Sequence, residues 1–219
     1  MSEIWILLLL VLTAALPVFI VFFVFRLGKS PLTLPWFLVF LASGILSLLV
    51  AALLQNLIPA VDRSGQAGPG LVFFNVFIRI ALIEELSRII ILVPFITVVS
   101  RRRDLDISFC AALGLVAGLG FAMLESAFYG IADTNITLLR AFTAAPLHGA
   151  CGIRAAAAIF FFRQYPAKAF FLLLFAVLIH GAYNIIIVNP TLPSLLAILV
   201  AFTALFSSLP FLRATDRER

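Results

Sequence analysis

Polar and apolar positions do not alternate along this chain; they fall into long apolar runs separated by short polar or basic breaks. Runs of about 20 apolar residues can cross a ~30 Å hydrocarbon layer as helix. No segment has the alternation of a transmembrane β-strand, so the spans are predicted to be helices. Seven are predicted, at 4–25, 33–54, 72–99, 107–130, 138–162, 168–189 and 192–212. The expected architecture is all-α, a polytopic membrane bundle forming one integral-membrane domain over residues 1–219. The longest connection, QNLIPAVDRSGQAGPG at 55–70, is too short for a soluble domain and reads as a connector, with a lid as the alternative.

Composition sharpens this picture. With 64% hydrophobic and 11% charged residues, the chain is excluded from the soluble class. Basic residues then set the topology, because Lys and Arg beside a span resist translocation. Arg26, Lys29, Arg101, Arg102, Arg103, Arg163, Lys168, Arg213, Arg217 and Arg219 fall on one predicted side, and Arg63 and Arg140 on the other. The expectation is an outer N-terminus and a cytoplasmic C-terminus. The net charge of +5 is accounted for by topology, so no nucleic-acid partner is expected, and RRRD at 101–104 reads as a cytoplasmic anchor. The start, MSEIW, has an acid and no basic region, and no A-x-A site follows the first apolar run, so that run is expected to stay as a helix. Cys110 and Cys151 lie within spans and imply no disulfide framework.

Nine residues within the spans have no topological reason to be polar: Arg79, Glu84, Glu85, Arg88, Glu125, His148, Arg154, His180 and Asn184. Ionisable groups at bilayer depth are costly, face the bundle interior or water, and mark functional sites by default. Counting ~1.5 Å per residue from the outer span ends places Glu84, His148 and His180 about 13–20 Å deep and Glu125 about 10 Å deep. They can meet in one outer-to-middle cavity. Arg88 is four residues from Glu84, on the same helical face, and offers it a counter-charge. Glu85 points about 100° away from Glu84 and is expected to serve a different neighbour. Arg79 is expected to snorkel or pair with a glutamate, and Arg154 to reach toward the inner side. Gly114 and Gly118 form a small-xxx-small packing face. Two histidines with two or three glutamates suit either water activation by a general base or binding of a divalent metal.

Four pieces in order carry a resemblance: EELSR (Glu84, Glu85, Arg88), FAMLESAFY (Phe121, Glu125, Tyr129), LHGA (His148) and HGAYN (His180, Asn184). They resemble the motifs of the PrsW-type intramembrane proteases, related to the CAAX prenyl proteases of the Abi type. The spacing to Arg88, and Glu125 where the Abi type has His, favour the PrsW type. Arg88 where Lys is common and Ser126 where Asn is expected are departures that bear on substrate choice.

The resemblance implies cleavage of a membrane-anchored protein, such as an anti-sigma factor, in a bacterial cytoplasmic membrane. Expected catalytic residues are Glu84, Glu85, His148, His180 and Asn184, supported by Arg88, Glu125 and Tyr129. Glu84, Glu125, His148 and His180 are the expected ligands if a metal such as zinc takes part. No H-E-x-x-H is present, so metal and glutamate-activated water both stay open. A proton-coupled transporter and a noncatalytic scaffold of a protease complex, like the related gamma-secretase subunit, are the competing readings.

Overall fold

A computed structural model of the chain describes residues 3–28, 30–59, 68–132, 134–189, 191–193 and 195–213. Lys29, Arg63, Arg217, Arg219 and the middle of the 55–70 connector, residues 60–67, lie outside the described residues. Helices α1 (Glu3–Ala14) and α2 (Leu16–Leu27) meet at 43°, where Pro17 removes a backbone donor at the start of α2. The first predicted span is therefore broken. Next come α3 (Leu34–Leu57), the short α4 (Pro69–Phe73), a π-helical stretch (Phe74–Leu82) and α5 (Ile83–Ser100). The remaining helices are α6 (Ile107–Ala132), α7 (Thr134–Phe161), α8 (Pro166–Val188) and α9 (Leu195–Arg213).

Among the described residues, five helices (α3, α6, α7, α8, α9) are long and apolar enough to cross a membrane, and the bent pair would make six. That is fewer than the seven expected. The difference is the 72–99 span: it is helical from Pro69 to Ser100, but Arg79, Glu84, Glu85 and Arg88 make it too charged to count by composition. The residues that make this helix interesting are the ones that hide it from a hydropathy criterion.

Burial separates the centre from the rim. The most apolar window of α6 is 83% buried and that of α7 78%, against 22% for α8 and for α9. Glycines permit this close central packing. A Cβ on Gly118 would lie 2.1 Å from the His148 carbonyl oxygen, and one on Gly114 2.2 Å from that of Gly152. Gly44 on α3 meets the Ala117 carbonyl, and Gly120 meets that of Leu41. The expected packing face of Gly114 and Gly118 is thus a backbone-to-backbone contact between α6 and α7. In the absence of a hydrophobic drive between helices in lipid, such van der Waals contact is a main source of association. Asp106 caps α6 by accepting the Phe109 amide at 2.6 Å.

The contacts also fix register. Gly114 faces Gly152, Gly118 faces His148 and Gly130 faces Thr137, so α6 and α7 run antiparallel as a tight hairpin. On the other side of the site, a Cβ on Gly181 would come 2.3 Å from the Phe77 ring. The π-helical i→i+5 turns that carry Phe77 therefore set the spacing of α8 from the glutamate helix, consistent with the placing of such turns at functional sites.

Gly118→Ala should destabilise the bundle by at least about 1–3 kcal/mol, the usual cost of overpacking, since only a backbone shift can admit the methyl. Gly70→Ala, with nothing within 4 Å of the added Cβ, should leave stability unchanged. Thermal unfolding of both proteins in detergent checks the contrast, and equal melting of Gly118→Ala and parent would refute the backbone-contact assignment.

Candidate active site

Four consecutive helical segments deliver the site. Glu84, Glu85 and Arg88 come from α5, Glu125 from α6, His148 from α7 and His180 from α8; all but Glu125 are 4% exposed or less. The expectation that these residues meet is met by direct contact.

Arg88 does not serve Glu84, its neighbour four residues away. It pairs with Glu85, three residues away, and its Nη2 donates to His148 Nδ1 at 3.2 Å. Its guanidinium also lies 4.7 Å above the centre of the Phe121 ring. The second oxygen of Glu85 is 2.9 Å from His180 Nδ1. Glu84 instead accepts from Gln55 Nε2 of α3 at 3.1 Å, and its other oxygen lies 3.4 Å from His180 Nε2. The two adjacent glutamates thus stand on opposite edges of one imidazole, with different partners.

Hydrogen-bond chemistry assigns the tautomers. A guanidinium only donates, so His148 Nδ1 accepts, and His148 Nε2 carries the hydrogen that it gives to Glu125 Oε2 at 2.8 Å. Glu85, already accepting from Arg88, accepts the Nδ1 hydrogen of His180 as well. His180 Nε2 is left with a lone pair, and it faces Glu84 Oε2, a buried acceptor with no hydrogen-bond partner among the described residues. Two acceptors at 3.4 Å call for a proton, a water or a cation between them.

Sequence reasoning missed Arg140 here. Counted as an outer-side charge, it is 7% exposed and donates to Glu125 Oε2 while lying 4.2 Å from the centre of the Tyr129 ring. Glu125 is thereby held between Arg140 and His148. The hairpin register was the available signal: with Gly118 opposite His148, residues 125 and 140 fall at the same level. Gln55 and the buried Tyr183–Thr143 hydroxyl pair, at 2.9 Å, were also not anticipated. Asn184 sits one turn beyond His180, half-buried, with no hydrogen bond among the described residues.

Arg79 and Arg154 depart from expectation in their partners. Arg79 binds the Ile58 and Gln55 carbonyl oxygens at the end of α3, at 3.1 and 3.2 Å, in place of lipid headgroups or a glutamate. Arg154 is 2% exposed and turns to the Ala150 and Ala204 carbonyls and the Ser207 hydroxyl instead of extending to the inner surface.

The donor set suits a divalent metal. Single ligand atoms of Glu84, His148 and His180 all lie within 4.8 Å of one another. The 3.4 Å between Glu84 Oε2 and His180 Nε2 equals the edge of a tetrahedron with metal–ligand bonds of ~2.0–2.1 Å. Glu85 behind His180 supplies the carboxylate–imidazole support that metal ligands usually have. His148 is the exception, because Arg88 and Glu125 occupy its two nitrogens, and one of them would have to let go. Glu125 stands outside the group, its Oε2 taken by Arg140 and His148. A second combination, Glu85, Cys151 and His180, is equally compact, but Glu85 is already bound by Arg88.

Apolar helices around buried carboxylates and imidazoles define an integral membrane protein of the class that carries a polar centre inside its own helix bundle. The chain belongs to the PrsW family of intramembrane metalloproteases, whose family model matches residues 31–209. That span includes every element that contributes to the site. Comparison with curated proteins and with solved structures finds no match.

Arg140→Gln should destabilise the protein by about 3–5 kcal/mol by leaving Glu125 without its counter-charge, and adding Glu125→Gln should restore part of the loss. A double-mutant cycle on unfolding in detergent measures this. Strictly additive effects would show that the pair is not coupled.

Proposed function

We propose that this chain is an endopeptidase that cuts a peptide bond in or near the membrane segment of a membrane-anchored protein, for example an anti-sigma factor. The observation that carries the reading is Glu84 Oε2, a buried carboxylate oxygen with no hydrogen-bond partner among the described residues, facing His180 Nε2 at 3.4 Å at the meeting point of α5 and α8. Family membership supports peptide-bond hydrolysis as the reaction.

In this mechanism Glu84 and His180 together receive the proton of the attacking water. Glu85 fixes the His180 tautomer by accepting from Nδ1, so that Nε2 is the nitrogen presented to the reaction. Once protonated, His180 Nε2 can donate, and with the Asn184 amide it stabilises the developing oxyanion, about 3–4 kcal/mol for each well-placed donor. Arg88 keeps Glu85 charged and orients His148; Arg140, with Tyr129 beneath it, holds Glu125 against the other edge of the same ring. Glu84, His180 and His148 are the residues that would hold a zinc-like metal. Such a metal, when bound, would supply Lewis-acid polarisation of the scissile carbonyl.

The proposal includes seven membrane-crossing segments, counting the charged helix 69–100 and the bent α1–α2 pair as one each. The N-terminus is outside, the C-terminus is cytoplasmic, and the protein is a single domain in a bacterial cytoplasmic membrane. Gathering of Arg26, Arg101, Arg102, Arg103, Arg163, Lys168 and Arg213 at helix ends supports that orientation. Loss of Arg140 to the interior strengthens the bias by removing a charge from the outer count.

Glu84→Gln and His180→Ala, present in the membrane at parental levels, should each lower cleavage of single-span peptides by about a hundredfold or more. Parental rates in either variant would overturn the assignment. The metal question is decided by elemental analysis of the purified protein together with cleavage in chelator. Stoichiometric metal with chelator-sensitive cleavage selects the metal-assisted form, and chelator-indifferent cleavage that still requires Glu84 selects water activated by the carboxylate alone.

A further inference from the structure

A basic feature that the active site does not use lies between the last turns of α7, the first turns of α8 and the end of α9. A cavity of about 440 Å³ opens there, with Arg154, Lys168 and Ser207 at its polar end and Phe171, Phe175 and Phe211 along its wall. Arg154 is seven residues from the end of α7, about 10 Å into the helix. It is 2% exposed, yet its partners are all neutral: the Ala150 carbonyl at 3.1 Å, the Ala204 carbonyl at 3.0 Å and Ser207 Oγ at 2.7 Å. These use three of the five donors of a guanidinium. Among the described residues neither Arg154 nor Lys168 has an acidic partner.

We propose that this cavity binds an anionic phospholipid, with its phosphate at Arg154 and Lys168 and an acyl chain along the phenylalanine wall. A buried guanidinium inside a membrane protein needs a counter-charge, and the buried arginines of the active site, Arg88 and Arg140, each have a glutamate. Among the described residues Arg154 has none. Lys168 lies at the mouth, exposed, its ammonium 3.6 Å from the centre of the Phe161 ring and free to move onto a phosphate. The exposed Phe171 and Phe175 rings, 64% and 45% accessible, give an acyl chain an apolar bed continuous with the polar end. Basic pockets between helices at the cytoplasmic side are the usual recognition form for anionic headgroups. A zwitterionic lipid brings a cation of its own into the same pocket and is disfavoured. The site is separate from the Glu84–His180 centre, so it stands or falls independently of the catalytic proposal.

The test is a titration of the delipidated, detergent-solubilised protein with phosphatidylglycerol and, separately, phosphatidylcholine, with bound lipid counted by native mass spectrometry. Phosphatidylglycerol should bind at least about fivefold more tightly, and Lys168→Gln should weaken it by about fivefold, the usual weight of one basic residue at a headgroup. Arg154→Gln should weaken it further. Lys168 is exposed and has no hydrogen bond or ion pair among the described residues, so its variant keeps the test decisive even if Arg154→Gln fails to fold. Equal binding of the two lipids, or an unaltered phosphatidylglycerol affinity in Lys168→Gln, would overturn the proposal. Displacement of the lipid by millimolar inorganic phosphate would also overturn it, assigning the cavity to a soluble anion.

Discussion

Arg88 is the group on which the interior depends. It is fully buried among apolar helices, where a lone guanidinium would be prohibitive, and it reaches three partners on three helices: Glu85 on α5, His148 on α7 and the Phe121 ring on α6. Because it can only donate, it dictates the state of everything around it. Glu85 must accept, His148 must turn its lone pair toward α5, and the His148 hydrogen must go to Glu125. Each choice propagates one residue further, to His180 through Glu85 and to Arg140 through Glu125. The chain of pairings ends at the one place where no donor is supplied, Glu84 Oε2 opposite His180 Nε2. Among the described carboxylates of this network, Glu84 is the one with a buried oxygen left without a donor, which makes it the group open to a proton, a water or a cation.

The backbone is built to keep these distances short. Glycines at 114, 118 and 152 bring α6 and α7 into main-chain contact, and the His148 carbonyl is itself one of the surfaces against which Gly118 packs. Helix packing and imidazole placement are therefore the same constraint: a side chain at residue 118 would displace His148 from Arg88 and Glu125 together. On the α8 side, Gly181 lies against Phe77 of the π-helical stretch, immediately beside His180. Small residues next to both histidines fix imidazole positions that flexible side chains alone would not.

How much of this was written in the sequence depends on the kind of interaction. The polar residues stand out because hydrocarbon makes them costly, so Glu84, Glu85, Arg88, Glu125, His148 and His180 were legible as one set before any coordinates. Their pairing was not. Helical spacing places Arg88 over both glutamates, at three and four residues, and only the positions of α3 and α8 decide that Gln55 serves Glu84 and Arg88 serves Glu85. Arg140 was hidden by its place near the start of the fifth span, where it reads as a surface charge; the register of the α6–α7 hairpin sets it level with Glu125, to which it donates. The charged helix shows the converse. Its existence was predicted from apolar flanks, and four ionisable residues, Arg79, Glu84, Glu85 and Arg88, make it too charged to stand out as an apolar span.

The balance of charge across the bundle gives the strongest physical reason to separate the two polar regions. Around the catalytic candidates, Glu84, Glu85 and Glu125 meet Arg88 and Arg140 with two imidazoles between them. Acids exceed guanidiniums there by one, and Glu84 is the carboxylate without a guanidinium partner and with an unsatisfied oxygen. That is the polarity required to bind a cation or to take a proton from water. Around Arg154 the balance is reversed: among the described residues a guanidinium and an ammonium share a cavity with hydroxyl, carbonyl and aromatic groups and no carboxylate. One centre is poised for a cation or proton and the other for an anion, and α7 carries a residue of each, His148 and Arg154, only six positions apart. In a low-dielectric interior, opposite surpluses on one helix stabilise each other without cancelling locally, so each site keeps the charge its ligand must answer.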